Sequence, residues 1–319
     1  MVVEGDIGFG DARAETSRRR QDGCEEIASF PDNELPIRVL KRDLKMWPSA
    51  VDFPGTFSDM FVRSPETQLS KDDKFIAYMT PTRPDFWWGS YLVSRDVVTK
   101  NNLSSFLREW EIRLGTLTDI KKKIIQWEIP IDEFPARTID MALEFSGPEE
   151  SISTNIVLVA KPSTMNTLTP GADAVLVEAT TERHFVKIIN MELADLENNP
   201  ESPATEDFLR WKHDQFYRGV KNGAGRWWML KHKGEIVANC GLFSDGRTAR
   251  FRDVATHPRS RRQGFARMLC QLVLTEGFKD PAIEQVIIVA EHNSSPERIY
   301  NSIGFAPYSA QIALIWDLK

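Results

Sequence analysis

A basic segment near the C-terminus has the residue types that bind a diphosphate. Residues 259–268 read Arg-Ser-Arg-Arg-Gln-Gly-Phe-Ala-Arg-Met and follow a run of strand-forming residues. Within this segment, Arg261, Gly264 and Ala266 form the pattern Arg-x-x-Gly-x-Ala. Small residues let a diphosphate approach the backbone closely, and the start of the following helix presents unpaired N–H groups to it. The segment therefore predicts a phosphate-binding turn.

A second segment farther along the chain places a tyrosine where it could take part in proton transfer. Residues 285–290 form an almost unbroken apolar run, which is typical of a buried strand. Ser295 is predicted to cap a helix whose first residue is Pro296, and Gly304 is expected to close that helix. Tyr300 then lies in the middle of the helix, and a phenol held in place there can act as a general acid.

The elements around the basic segment are those that a phosphate-binding turn requires. Residues 235–243 and 248–256 are rich in strand-forming residues and are joined by Ser244-Asp245-Gly246, which predicts an antiparallel hairpin. After the turn, apolar residues recur at helical spacing until Gly277, an expected helix end. The predicted order is therefore strand, basic glycine turn, helix.

These two segments together resemble the GCN5-related N-acetyltransferase (GNAT) family. The cofactor loop of that family reads Gln/Arg-x-x-Gly-x-Gly/Ala, and its next helix carries an asparagine and a tyrosine and ends at Gly-Phe. The matching residues of this chain are Arg261, Gly264, Ala266, Asn293, Tyr300, Gly304 and Phe305. The resemblance covers roughly the last half of the chain, from about Val175 onward, and implies an enzyme that uses acetyl-CoA as cosubstrate.

The resemblance also implies a role for each matched position. The loop 262–267 would hold the pyrophosphate of acetyl-CoA, Asn293 would contact the pantetheine, and Tyr300 would protonate the leaving thiolate. A main-chain N–H in the segment 254–256 would donate to the thioester carbonyl. The cofactor contacts expected on this basis are Val254, Ala255, Thr256, Arg261, Arg262, Gln263, Gly264, Phe265, Ala266, Arg267, Asn293 and Tyr300.

The sequence departs from the family at the position of the general base. Many members place a glutamate on the strand before the loop, and the corresponding residue here is Arg252. We therefore expect the adjacent Asp253 to act as the catalytic base together with Tyr300 as the acid. His257, at the end of the strand, is the second candidate, and a chain of water molecules without a dedicated base is the third.

The implied reaction is direct transfer of an acetyl group from acetyl-CoA to a primary amine. No nucleophile pattern surrounds Cys240 or Cys270, so a covalent acetyl-enzyme is not expected. The alternative is a non-catalytic protein that binds acyl-CoA as a sensor or scaffold. Loss of the tyrosine or of the loop would favour that alternative, and both are present. The acceptor, expected to be a small molecule, does not follow from the family because this fold serves many acceptors.

We predict an α/β (α+β) protein with two domains, each a mixed, mostly antiparallel sheet flanked by helices. Residues 169–319 are predicted to form the acetyl-CoA-binding domain, and residues 35–168 a degenerate GNAT-like domain. Residues 1–34 are expected to be a disordered tail. The first half contains no Gln/Arg-x-x-Gly-x-Gly/Ala pattern, so it is not expected to bind CoA.

The predicted first domain also has local patterns of its own. Residues 75–80 and 86–94 are predicted to form a hairpin, and residues 103–114 a helix that ends at Gly115. The run Phe86-Trp-Trp-Gly89 resembles a feature of tandem bacterial GNAT proteins. Its residues Trp87 and Trp88 are either core residues or part of a wall of the acceptor pocket.

Composition limits the remaining possibilities. The chain has 319 residues, 41% of them hydrophobic, and no apolar stretch long enough to cross a bilayer, so we expect a soluble, cytoplasmic protein without membrane partners. Its cysteines, at positions 24, 240 and 270, lack the spacing of metal ligands and are expected to be reduced thiols. No nucleic-acid motif is present, and a homodimer is compatible with these features.

Charge gives a weak indication about the acceptor. Lysine plus arginine balance aspartate plus glutamate from residue 170 onward, so the net charge of −6 falls entirely before that residue. An acidic first domain would suit a cationic amine, although such a charge excess usually serves solubility.

Overall fold

A computed structural model of the chain describes residues 50–137, 141, 145, 150–165, 173–198 and 204–318. The predicted tail 1–34, with Cys24, lies outside the described residues. None of the helices in the described ranges combines the length and the apolar character needed to cross a membrane.

A single mixed sheet of eleven strands forms the centre of the molecule. The strands are β1 Gln68–Lys71, β2 Phe75–Met79, β3 Tyr91–Ser94, β4 Lys122–Pro130, β5 Glu150–Ala160, β6 Ala174–Glu178, β7 Gly225–His232, β8 Glu235–Ser244, β9 Thr248–Thr256, β10 Gln285–Glu291 and β11 Ala306–Asp317. Their order across the sheet is β1-β2-β3-β4-β11-β5-β10-β9-β8-β7-β6. The predicted class, a mixed sheet flanked by helices, is confirmed.

Helices cover both faces of this sheet. Those whose full bounds are described are α1 Pro54–Asp59, α2 Leu103–Leu114, α3 Glu182–Asn198, α4 Glu206–Lys221, α5 Phe265–Gly277 and α6 Ser295–Ser302. Apolar residues of α2, α5 and α6 join one core cluster, whereas those of α1, α3 and α4 join clusters on the opposite face. Alternate residues of a strand point to opposite faces, so a strand covered on both sides is apolar throughout, as the run in β10 is.

The centre of the sheet is built by an exchange of strands between the two halves of the chain. Strand β5, from the first half, pairs antiparallel with β10 and with β11. Strand β11, the last of the chain, pairs on its other edge with β4 of the first half. Each half therefore uses a strand of the other, and the two predicted sheets are continuous. The predicted boundary between residues 168 and 169 stays a prediction.

Two local predictions need correction. The predicted strand 86–94 begins only at Tyr91, because residues 87–89 form a 3₁₀ turn in which Gly89 N–H donates to the carbonyl of Phe86 at 2.9 Å. The cap of α6 is Ser294 rather than Ser295. Ser294 has extended backbone angles, and its Oγ accepts a hydrogen bond of 3.2 Å from the N–H of Glu297.

The hairpin β8–β9, the helices α2 and α5, and the strand β10 are confirmed close to their predicted bounds.

Candidate active site

A gap opens in the sheet between the parallel strands β9 and β10. In the part of the chain that the structure describes, these strands pair at three positions, and the last pair is Arg250 with Ile287. Both strands continue beyond that pair, β9 to Thr256 and β10 to Glu291. Beyond it, the described residues of β9 and β10 form no ladder with each other, and this unpaired stretch is the gap. The segment predicted to donate an N–H to a carbonyl, 254–256, lies on the β9 side of the gap.

The predicted phosphate loop follows β9 after a 3₁₀ turn, Pro258–Ser260, and leads into α5. Gly264 is the residue before the helix and has φ of 82°, a left-handed conformation that glycine adopts without strain. A Cβ built on Gly264 would meet no atom within 4 Å, so the backbone there faces open space. Arg262, Gln263 and Arg267 are exposed around it. This is the arrangement of N–H groups and positive charge that suits an anionic ligand at a helix start.

Other residues of the loop hold it in place. The guanidinium of Arg261 forms an ion pair of 2.6 Å with Asp195 of α3 and donates to the carbonyl of Thr256 at 3.4 Å. The ring of Phe265 is buried, with its centroid 5.0 Å from that of His232. Ala266 is half-buried. Arg261 and Phe265 thus anchor the loop, in addition to the ligand contacts predicted for them.

Left-handed backbone conformations coincide with the predicted site. Five non-glycine residues in the described ranges have positive φ, and three of these are Asp253 at 53°, Arg262 at 64° and Asn293 at 61°. The other two, Asp119 and Lys233, lie in connecting segments. Such conformations are held only where the surrounding structure enforces them, and they are frequent at ligand sites.

Tyr300 and Asn293 lie on the α5–α6 side of the sheet. Tyr300 is buried in the same core cluster as α5, and its ring centroid is 6.2 Å from that of Phe305. Asn293 is exposed, and its backbone is fixed at the start of α6 by a hydrogen bond of 2.6 Å from its N–H to the Glu297 carboxylate. Both residues therefore occupy the elements predicted for them, and their roles stay predictions.

Asp253 lies in a buried network of charged side chains that also includes residues of α3 and α4. Asp253 Oδ2 is 2.7 Å from Lys212 Nζ, and the same Nζ is 3.0 Å from Glu192 Oε2. Nε2 of His213 is 3.0 Å from that glutamate oxygen, and Asn239 donates to the other at 3.2 Å. Asp253 occupies a bulge in β9, where the pairing with β8 shifts register. The ion pair therefore ties the bulge to α4.

The charges in this network stabilise one another. Burial alone would raise the pKa of Glu192, but the nearby His213 and Lys212 outweigh it and lower that pKa. Burial would likewise lower the pKa of Lys212, but the carboxylates of Asp253 and Glu192 raise it above the ordinary range. Ligand atoms of Glu192, His213 and Asp253 lie within 4.8 Å of one another, which could suit a metal ion. The ammonium of Lys212 occupies the position between the two carboxylates, so the network is balanced by a side chain.

We expect Lys212→Met to destabilise the protein strongly, by about 3–5 kcal/mol, because it leaves two buried carboxylates without their cation. Unfolding in denaturant would measure the loss. Lys279→Met is the matched control, since Lys279 pairs with Glu276 on the surface of α5. A loss in Lys212→Met no greater than that of the control would show that the ammonium does not support the bulge.

A polar pocket lies on the face of the sheet opposite α5 and α6. Its floor is formed by the five neighbouring strands at the centre of the sheet. The strand residues that line it are Gln126, Gln311, Asn155, Val289, Arg250 and Arg252. Arg252 of β9 and Val289 of β10 both lie beyond the last ladder pair, so the pocket borders the gap. The space within it is about 560 Å³, part of which is open to solvent.

The first half of the chain supplies the outer wall of this pocket. Asp59 and Arg63, at and after the end of α1, contribute together with Phe86 and Trp88. Trp88 lines this pocket and also packs against two core clusters on that face, so both sequence interpretations of it stay predictions. Trp87 is not among the lining residues and instead lies under Lys122, whose Nζ is 4.0 Å from the ring centroid. Sequence reasoning did not identify the other wall residues, because they meet only through the strand exchange.

Burial makes the described thiols poor nucleophiles. Cys240 and Cys270 are buried free cysteines, and burial raises the pKa of both. The thiolate, which is the reactive form, is therefore disfavoured at both positions.

Comparisons with known proteins agree with this geometry. The acetyltransferase (GNAT) family matches residues 187–305, which include β9, the loop, α5, β10 and α6. A functionally unknown conserved protein from Staphylococcus epidermidis has a similar fold, with a TM-score of 0.62 and 10% identity over 82% of this chain and 98% of that one. No curated protein matches the sequence.

Two further structures share the fold. A GCN5-related N-acetyltransferase from Kribbella flavida has a TM-score of 0.55 and 14% identity over 82% of this chain and 93% of that one. A tandem GNAT protein from the clavulanic acid biosynthesis pathway has a TM-score of 0.53 and 13% identity over 89% of this chain and 93% of that one. Residues 187–305 therefore contain a domain of the GNAT family, and the chain shares the fold of a tandem GNAT protein over most of its length.

Proposed function

We propose that the protein transfers an acetyl group from acetyl-CoA to the primary amine of a small molecule. The observation that carries this proposal is the gap between β9 and β10, which has the glycine loop and Tyr300 toward one face and the polar pocket on the other. Acetyl-CoA supplies the activated acyl group when it is bound. The gap lets residues of both faces act on one reacting centre.

Each predicted residue has a definite task in this proposal. The N–H groups of the loop 262–267 and of α5 hold the diphosphate, and Asn293 lies toward the pantetheine. Main-chain N–H groups of 254–256, on the edge of the gap, donate to the carbonyl oxygen as negative charge develops on it. Tyr300 supplies a proton to the departing sulfur. The pocket binds the amine and excludes water.

Asp253 has two roles in this proposal, one chemical and one structural. It remains our first candidate for the base, with His257 and a water chain as alternatives, and its ion pair with Lys212 also holds the bulge. The raised pKa values of Cys240 and Cys270 support direct transfer over a covalent acetyl-enzyme.

Release of free thiol from acetyl-CoA in the presence of a panel of primary amines tests the proposed function. Amine-dependent release is the expected result. If acetyl-CoA stabilises the protein but no amine of the panel causes release of thiol, the protein is the non-catalytic binder considered above.

The first half of the chain is expected to contribute no second cofactor site. Its strands β3 and β4 are also parallel and also pair at three positions, up to Ser94 with Trp127. However, the turn between β3 and α2, residues 95–102, contains no glycine. Calorimetry should therefore give one acetyl-CoA per chain. Two sites per chain, with one surviving a change in the loop at Gly264, would contradict this expectation.

A further inference from the structure

The charges of the pocket indicate the class of acceptor. We infer that the pocket opposite α5 and α6 binds a small primary amine that also carries a carboxylate, with Arg250 and Arg252 as the residues that select it. This inference rests on the proposed acetyl transfer, because it identifies the pocket as the acceptor site of that reaction.

Positive charge predominates among the described residues that line the pocket. Arg63, Arg250 and Arg252 carry three guanidinium groups, and Asp59 is the one carboxylate among them. Asp59 is shared by two of these arginines, at 3.2 Å from Arg63 and 3.6 Å from Arg250. Positive charge in a largely buried pocket favours an anionic ligand, because water there screens poorly.

The guanidinium groups are held in fixed positions. The guanidinium carbon of Arg63 is 4.8 Å from the ring centroids of both Tyr78 and Tyr91. Arg250 donates to Ser58 Oγ at 2.7 Å, and its side chain is 3% exposed. A planar guanidinium in a fixed position matches the geometry of a carboxylate, and holding it there beforehand lowers the entropy lost on binding.

Arg252 has the position that a selecting residue needs. It is two residues beyond Arg250 on the same face of β9, past the last ladder pair with β10 and therefore beside the gap. Its guanidinium carbon lies 5.8 Å from the ring centroid of Phe216 of α4, within the range of a cation–π contact. A ligand whose carboxylate meets Arg250 and Arg252 keeps its amine within the same small pocket, next to the main-chain N–H groups of 254–256.

Neutral amides complete the polar surface. Gln311 of β11 and Asn155 of β5 are directly paired across the exchanged strands, and Gln126 lies on β4. Gln311 also donates to Asp59 at 2.8 Å, so the single carboxylate is hydrogen-bonded as well as ion-paired. The acidic charge of the first half had suggested a cationic acceptor. The described residues that line the pocket carry charge of the opposite sign, and these are the residues that would contact a ligand.

Calorimetric titration of the CoA-saturated protein tests this inference with defined probes. The probes are β-alanine, γ-aminobutyrate and the common α-amino acids, each compared with its own carboxamide. At least one acid should bind about 10- to 100-fold more tightly than its amide, the range for hydrogen bonds to a charged group. Arg252→Gln should remove most of that preference, and Arg252→Lys should retain part of it.

Arg247→Gln is the matched control, because it removes one guanidinium from an exposed pair with Glu284 at the start of β9. Stabilisation by acetyl-CoA, measured for each variant, shows that the cofactor site is intact. Equal affinity for acids and amides, failure of every acid to bind, or a preference that Arg252→Gln leaves unchanged would overturn the inference. Binding of an acid without release of thiol would support the inference and refute the proposed transfer. Release of thiol with amides but not with acids would support the proposed transfer and refute the inference.

Discussion

Gly264→Glu is expected to abolish the stabilisation of the protein by acetyl-CoA. A ligand that binds only the folded state at 100 times its Kd adds about 2.7 kcal/mol of stability, which appears as a rise in Tm. The new side chain would place a negative charge in the open space beside Gly264, where the diphosphate is proposed to lie. It would also force a non-glycine residue to adopt φ of 82°.

Gly246→Glu separates the effect of the negative charge at the loop from the effect of the strained backbone angle. Gly246 has φ of 98° and open space around it, and it lies in the β8–β9 turn, at the opposite end of β9 from the loop. Both variants should lose similar intrinsic stability, but only Gly246→Glu should keep the rise in Tm with acetyl-CoA. An undiminished rise in Gly264→Glu would refute the cofactor assignment.

Local sequence patterns were sufficient to predict the elements around the loop. The turn Ser244-Asp245-Gly246 predicts a hairpin because its residues suit a tight reversal between strands, and β8 and β9 form that hairpin. The apolar run of β10 predicts a strand buried on both faces. These features depend on neighbours in the sequence, so a single sequence reveals them.

The strand exchange could not be predicted in this way. Sequence patterns do not specify which strands pair in a sheet, so the pairing of β5 with β10 and β11 could not be inferred from them. The pocket depends on that pairing, because its floor joins β4, β11, β5, β10 and β9. A sequence signal for part of it was nevertheless present. Arg250 and Arg252 alternate with the apolar Phe251, and this period of two predicts that both arginines share one face of β9.

The environment of Asp253 was also beyond the sequence patterns. Its position beside Arg252 predicts a base, whereas its partner Lys212 and the Glu192 that shares this lysine lie on α4 and α3, far away in the sequence. An acidic residue next to a site can serve as a base or hold a bulge, and only its contacts distinguish these roles. The Lys212 ion pair adds the second role without removing the first.

Tyr300→Phe is expected to lower turnover by about 10²- to 10⁴-fold, the range for loss of a general acid. The phenyl ring would keep the packing that Tyr300 makes in the buried cluster with Phe305, so the affinity for acetyl-CoA should change little. Steady-state thiol release with an accepted amine measures the turnover, and calorimetry measures the affinity for acetyl-CoA. An equal fall in kcat and kcat/KM would indicate an interaction made in the transition state.

Tyr308→Phe is the control for removal of a hydroxyl elsewhere, because Tyr308 is exposed and donates its hydroxyl proton to the carbonyl of Val51. It should turn over acetyl-CoA at the wild-type rate. If Tyr300→Phe also retained that rate, the first turnover would decide between two explanations. Unchanged thiol release in a rapid-mixing experiment would make Tyr300 a packing residue. A slowed first turnover would show that the phenol acts in a chemical step that a later step conceals in the steady state.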